Sequence, residues 1–161
     1  IGKKNTFILS GLICGVLSIL FFFLPPTQIE LIFIINIFIG IFSAMAFPLI
    51  WAMYGDVSDY SELKTGRRAT GLIFSSSSMS QKLGWTIGGA ISGWILAAFG
   101  FIANDIQTDE SILGIRLMIS IFAAVGVILS IVIMFFYPLT EKFMREKVTA
   151  QLEMARSKQN T

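Results

Sequence analysis

The sequence predicts an all-α membrane protein with four transmembrane helices. Three observations carry that expectation. Hydrophobic residues make up 55% of the chain and charged residues 14%, with a mean hydropathy of +0.77. Soluble domains stand nearer half apolar and a quarter charged. The apolar excess is gathered into four long runs, each near the ~20 residues that a spanning helix needs. The basic residues fall almost entirely on alternate connections between those runs.

The first span is expected over 7–24, closed by the Pro25-Pro26 turn. This run mimics a signal sequence, but no small-x-small cleavage site follows it, so it is read as retained. The chain opens Ile1-Gly2-Lys3-Lys4 without a methionine, so it is expected to be a piece of something longer. The second span, 31–54, carries no charge. It is expected to end in a charged cytoplasmic loop, 55–70. The third, 71–102, is interrupted only by Lys82, and the fourth is 117–139. Residues 140–161 form the expected cytoplasmic tail. A soluble four-helix bundle would need a polar face on every helix, and these runs are apolar all round.

Orientation follows from the bases. Lys3, Lys4, Lys64, Arg67, Arg68, Lys142, Arg145, Lys147, Arg156 and Lys158 collect on one side. The opposite connections, around 25–30 and 103–115, hold only the acids Glu30, Asp105, Asp109 and Glu110, with Arg116 at the edge of the last span. Both termini and the charged loop are therefore expected in the cytoplasm.

Several chemistries are excluded. There is no histidine, and the single cysteine, Cys14, lies in an apolar run, so neither a disulfide framework nor a metal cluster is available. Nor is there a nucleophile–base pair for a membrane-embedded enzyme. A net charge of +2 gives no reason to expect nucleic acid.

Lys82 stands about eleven residues into the third span, roughly 16 Å deep in a core about 30 Å thick. Intramembrane lysines face cavities or partners. Ser75, Ser78, Lys82, Trp85 and Gly89 recur at helical spacing on one face, with Gln81 beside it. Hydroxyls, an amide, an ammonium and an indole on one stripe suit a sugar, which wants hydrogen bonds and an aromatic platform. The plainer reading is a lysine paired to a carboxylate for helix packing. Every acid of the chain lies in a loop, at a span edge or in the tail. Any partner acid at that depth, and most of any coupling-cation site, is therefore expected on helices outside this chain.

In the charged segment Asp56, Asp59 and Glu62 recur every three residues, followed by Lys64, Arg67 and Arg68 across the turn Thr65-Gly66. Positive-inside anchoring accounts for the bases but not for the regular acids. An ion-pair network that forms on closing the inner side accounts for both. Gly84/Gly88 and Gly89/Gly93 offer close helix packing. Pro48 is expected to kink the second span. Trp51 reads as an interfacial anchor or a ligand contact. Leu139, Phe143, Val148, Leu152 and Ala155 read as one face of an amphipathic helix on the membrane surface, or as part of a solvated tail.

Pro48-x-x-Trp51 running into Asp56-x-x-Asp59-Tyr60-x-Glu62-x-Lys64-Thr65-Gly66-x-Arg68, then Gly71 and a span carrying Lys82, resembles the glycoside–pentoside–hexuronide:cation symporters of the major facilitator superfamily. Gly114-Ile115-Arg116 and Phe136-Tyr137-Pro138-Leu139 before Glu141-Lys142 resemble that family's last helix and tail. The resemblance covers nearly the whole chain and implies spans nine to twelve of a twelve-helix transporter, a partial major facilitator fold. It implies sugar:cation symport by alternating access, driven by sodium or protons, with a sugar, a cation, the bilayer and the missing helices as partners and no cofactor. It places Lys82, Ser77, Ser78 and Gln81 toward the sugar, and Asp56, Asp59 and Arg68 in the inner gate. Phe47 falls where the melibiose carrier has a tryptophan near its sugar. The rival expectation is a non-transporting four-helix membrane assembly or regulatory subunit.

Overall fold

The computed structural model of the chain describes residues 2–25 and 27–159, with side chains as far as Met154. Pro26 of the expected turn, and the side chains of Ala155, Arg156 and Lys158, lie outside the described residues. Five helices follow in order, with no strand among the described residues. They are α1 (Lys3–Phe23), α2 (Ile29–Thr65), α3 (Thr70–Ala98), α4 (Asp109–Phe135) and α5 (residues 141–159). Wider π-type turns interrupt α4 at Met118–Phe122 and α5 at Met144–Thr149.

Helix α2 corrects the expected loop 55–70. It runs on through Pro48 to Thr65, so the charged segment is helix and only residues 66–69 form the link. At 1.5 Å per residue its 37 residues reach roughly 55 Å, well beyond a ~30 Å bilayer core. No breaker stops it before Gly66, which adopts the left-handed conformation (φ 70°) and donates its N–H to the Glu62 carbonyl at 2.9 Å. Helix α3 ends earlier than the expected 102. Gly100 (φ 69°) closes it, with its N–H on the Ala97 carbonyl and the Phe101 N–H on Leu96. That is a Schellman ending, which a left-handed glycine permits. Helix α4 starts earlier than the expected 117. The Thr108 hydroxyl accepts the Ser111 N–H at 3.2 Å, and Asp109 and Glu110 occupy the favourable first turn.

Helices α1, α2 and α4 are long and apolar enough to cross a membrane. Helix α3, at 29 residues, is long enough but less apolar, because Ser75 to Ser78, Ser80, Gln81 and Lys82 fill its first half. The third of the four spans that the sequence predicts is thus the polar member of the set.

Helix α1 lies between α2 and α4. Its buried face is made of small residues, Ser10, Cys14, Gly15 and Ser18. Lipid is as apolar as leucine, so helices there associate by close fit. Gly11 supplies that fit: a Cβ there would stand 3.2 Å from Ile131. The antiparallel pair α1/α4 is also cross-capped. Lys4, in the first turn of α1, donates to the carbonyls of Phe135 (3.0 Å) and Tyr137 (2.8 Å) at the end of α4. Arg116 on α4 donates to those of Phe22 and Leu24 at the end of α1 and lies over the Phe22 ring. Cations at helix C-termini satisfy orphan carbonyls and complement the dipole.

Helix α3 is held more loosely. Phe74 meets Trp51 and Tyr54 of α2, with centroids 5.7 and 6.0 Å apart. Phe99, just past its end, lies against Gly114 of α4. Gly84, Gly88, Gly89 and Gly93 have nothing within 4 Å of a built Cβ among the described residues. The expected close packing at those glycines is not made by these helices.

Helix α5 corrects both readings of the tail. It docks against the overhanging part of α2 rather than lying free or flat on lipid. Leu139, Met144, Val148 and Leu152 form a buried cluster against Val57, Tyr60, Leu63, Tyr137 and Phe143. Once α2 overshoots the bilayer, its apolar residues meet water, where the hydrophobic effect operates in full.

Candidate functional site

Two regions hold the predicted site residues. The first is the polar half of α3. Ser75, Ser78, Met79, Lys82, Leu83 and Thr86 line an open groove along it. Residues three and four apart on a helix are neighbours, which is why these line up. The hydroxyls divide into two sets. Ser75, Ser76, Ser77 and Thr86 donate back to carbonyls of their own helix, Ser77 to Ile73 at 2.7 Å and Thr86 to Lys82 at 2.9 Å. Such back-bonding satisfies a hydroxyl and leaves it little to offer a ligand. The Ser78 hydroxyl, the Gln81 amide and the Lys82 ammonium make no hydrogen bond or ion pair among the described residues.

Of the predicted sugar-side residues, the groove therefore brings Ser78 and Lys82 together, and Gln81 is not among the residues that line it. Ser77 is engaged by its own helix. Trp85 is exposed and does not line the groove. Phe47 is on α2, its ring 6.4 Å from Trp51 in the aromatic group that Tyr54 and Phe74 complete. Trp51 thus ties α2 to α3. Thr86 was missed, although its place one turn beyond Lys82 was readable.

The second region is the basic end of the bundle. Asp56, Asp59 and Glu62 share one face of the α2 overhang. The Lys3 ammonium donates to both Asp56 carboxylate oxygens, at 2.7 and 2.8 Å. Arg68 reaches Asp59 at 3.0 Å and Glu62 at 3.8 Å, and its Nε donates to Thr70 Oγ1 at 3.2 Å. The Thr70 and Ser58 hydroxyls are hydrogen-bonded at 2.6 Å. The network joins the start of α1, the overhang of α2 and the start of α3. Arg67 is exposed and its side chain makes no ion pair among the described residues. Lys3 was read only as one of the bases that set the orientation, since 53 residues separate it from Asp56 and nothing in the spacing joins them. These pairs are partly exposed, where an ion pair contributes about 0–1 kcal/mol, so stability alone does not explain three acids in register.

Among the described residues no group of three or more His, Cys, Asp or Glu side chains is placed to hold a metal ion.

Residues 1–141 match the family model described as "MFS/sugar transport protein". The chain is 39% identical over 150 residues to the glucuronide carrier protein homolog of Escherichia coli strain K12, covering 92% of this chain and 32% of that protein. It is 36% identical over 147 residues to the putative glycoside/cation symporter YagG of the same organism, covering 90% of this chain and 32% of that one. It is 38% identical over 112 residues to the isoprimeverose transporter of Lactiplantibacillus pentosus, covering 70% and 23%. The chain spans a third or less of the length of each of these relatives. No solved structure matches.

Proposed function

The chain belongs to the MFS/sugar transport protein family, and from that membership we propose that it works as spans nine to twelve of a sugar:cation symporter. The family description and the relatives' names denote transporters rather than enzymes. Relatives named for a glucuronide, glycosides with a cation, and isoprimeverose support a glycoside, pentoside or hexuronide as substrate. The observation that carries the reading is the groove on α3: an ammonium and a hydroxyl, both unengaged, on the one long helix whose polar half is unsuited to lipid.

In this reading α3 crosses the membrane with its polar half toward a central pathway. Lys82, Ser78 and Gln81 meet the sugar or the cation there. Ser77, Phe47 and Trp85 shape the surroundings, Phe47 through its contact with Trp51. The sodium or proton site is mostly built by helices outside this chain. Both termini are cytoplasmic, so Asp56, Asp59, Glu62, Arg67 and Arg68 stand at the inner gate. Closing the gate assembles the pairs made by Lys3 and Arg68, and alternating access breaks them. Modest pairs suit that task, because a gate must open at little cost.

The test is gradient-driven uptake of radiolabelled glycosides, pentosides and hexuronides by cells expressing the intact gene that encodes this chain. Uptake that depends on sodium or a proton gradient and is abolished by Lys82→Val is the expected result. Full coupled uptake in Lys82→Val would remove Lys82 from the pathway. Absence of uptake for every sugar would reject the substrate class.

A further inference from the structure

At the basic end, α1, α2, α4 and α5 converge on Tyr137. It follows the last turn of α4 and contributes to the cluster under α5. Its backbone carbonyl takes the Lys4 ammonium at 2.8 Å. Lys3, the preceding residue, holds Asp56, and Val57, the residue after Asp56, packs into the same cluster as Tyr137. Tyr137 and Asp56 thus share this end of the bundle, close enough for the carboxylate charge to act on the phenol. The Tyr137 hydroxyl is buried and has no hydrogen-bond partner among the described residues. Buried hydroxyls are nearly always paired, and an orphan calls for an explanation.

Asp56 supplies one. Its side chain is only 13% exposed, and its one ion pair is with Lys3, which is 34% exposed and belongs to another helix. If the start of α1 moves away from the α2 overhang, a largely buried carboxylate loses its counter-ion, and that is expensive. A phenol beside it is a ready donor, and O–H···O⁻ bonds are among the strong ones. We propose that the Tyr137 hydroxyl is the second partner of Asp56: when Lys3 lets go, Tyr137 donates to the carboxylate and holds the separated arrangement. The orphaned hydroxyl is then the unused half of an exchange. Burial and the Asp56 charge hold the phenol's pKa up at about 12, so it keeps its proton, and can donate, at any physiological pH. The exchange concerns helix ends alone and holds whatever the protein carries.

The test uses the 161-residue chain in nanodiscs with 13Cζ-labelled tyrosine. The three tyrosines, Tyr54, Tyr60 and Tyr137, give three signals, and Tyr137→Phe identifies one. In the unsubstituted chain the Tyr137 signal should report a hydroxyl that does not donate to a carboxylate. Lys3→Met should move it downfield, to a charge-assisted donor position. Asp56→Asn added to Lys3→Met should move it back, and Lys3→Arg should leave it in place. A purely structural Tyr137 would not follow charge at two other residues in this way. The proposal is overturned if the signal is already at the donor position in the unsubstituted chain, if Lys3→Met leaves it unmoved, or if Asp56→Asn does not reverse the shift. Circular dichroism checks helix content. Should Lys3→Met fail to fold, Lys3→Gln removes the same charge with a polar side chain and is judged by the same outcomes. Sugar uptake is not part of the readout, so failure here is separable from failure of the symporter reading.

Discussion

Val148 is the residue on which the docking of α5 turns. It is fully buried, at 0% exposure, in the cluster with Leu139, Met144 and Leu152. Val148→Ala deletes two methyl groups. At about 0.8 kcal/mol per buried carbon the transfer loss is about 1.6 kcal/mol. A cavity that closes only partly adds a fraction more, giving about 2 kcal/mol. Each 1.4 kcal/mol is a factor of ten, so the undocked population of α5 should rise roughly 30-fold. Amide hydrogen exchange of the 161-residue chain in nanodiscs measures this directly, because exchange tracks local opening. Exchange over residues 141–154 should accelerate by about that factor, while amides of α1 stay unchanged. A helix lying on lipid headgroups would behave differently. It would respond to replacing anionic with neutral lipid and not to Val148→Ala. Unchanged exchange in Val148→Ala would refute docking against the α2 overhang.

Two further outcomes are expected. A Cβ at Gly114 would meet Phe99 Cγ at 2.5 Å and Cβ at 2.6 Å. Gly114→Ala should therefore destabilise the α3–α4 junction by about 1–3 kcal/mol, lower Tm in a thermal scan and be partly relieved by Phe99→Ala. Tyr137 has its pKa raised from 10.0 to about 12 by burial first and the Asp56 charge second. The folded state thus binds this proton more tightly than the unfolded chain. The stability it contributes is complete below pH 10 and lost as pH rises toward 12. Tm measured across that window should fall less in Tyr137→Phe than in the unsubstituted chain, and parallel curves would contradict the shift.

The candidate site residues were legible for a chemical reason. Lys82 is a charge where hydropathy makes charge expensive, and the acids at 56, 59 and 62 recur at a regular spacing that anchoring does not explain, so they announce themselves without an alignment. Apolar runs also fixed the helices to within a few residues, except where an ending depends on local chemistry. The charged segment looked like a loop because it is polar. Polarity does not break a helix, however, and α2 ran on until Gly66 could turn left-handed. The early start of α4 depends on the cap at Thr108, and the early end of α3 on Gly100.

The sequence alone determined that this is a multi-pass helical membrane protein, that α3 carries the odd cation, and that acids and bases crowd one end. Those features follow from burial energies that each residue carries with it. Only the tertiary structure decided which charge meets which. Lys3 and Asp56 are 53 residues apart, and their pairing exists because α1 packs beside α2. The glycines that pack closely are Gly11 and Gly114, not the pairs on α3, because fit needs a neighbour and a sequence does not say where neighbours are. The tail's partner was hidden for the same reason. An apolar stripe states that something must cover it, and only the α2 overhang, held out in water beside it, settles what does.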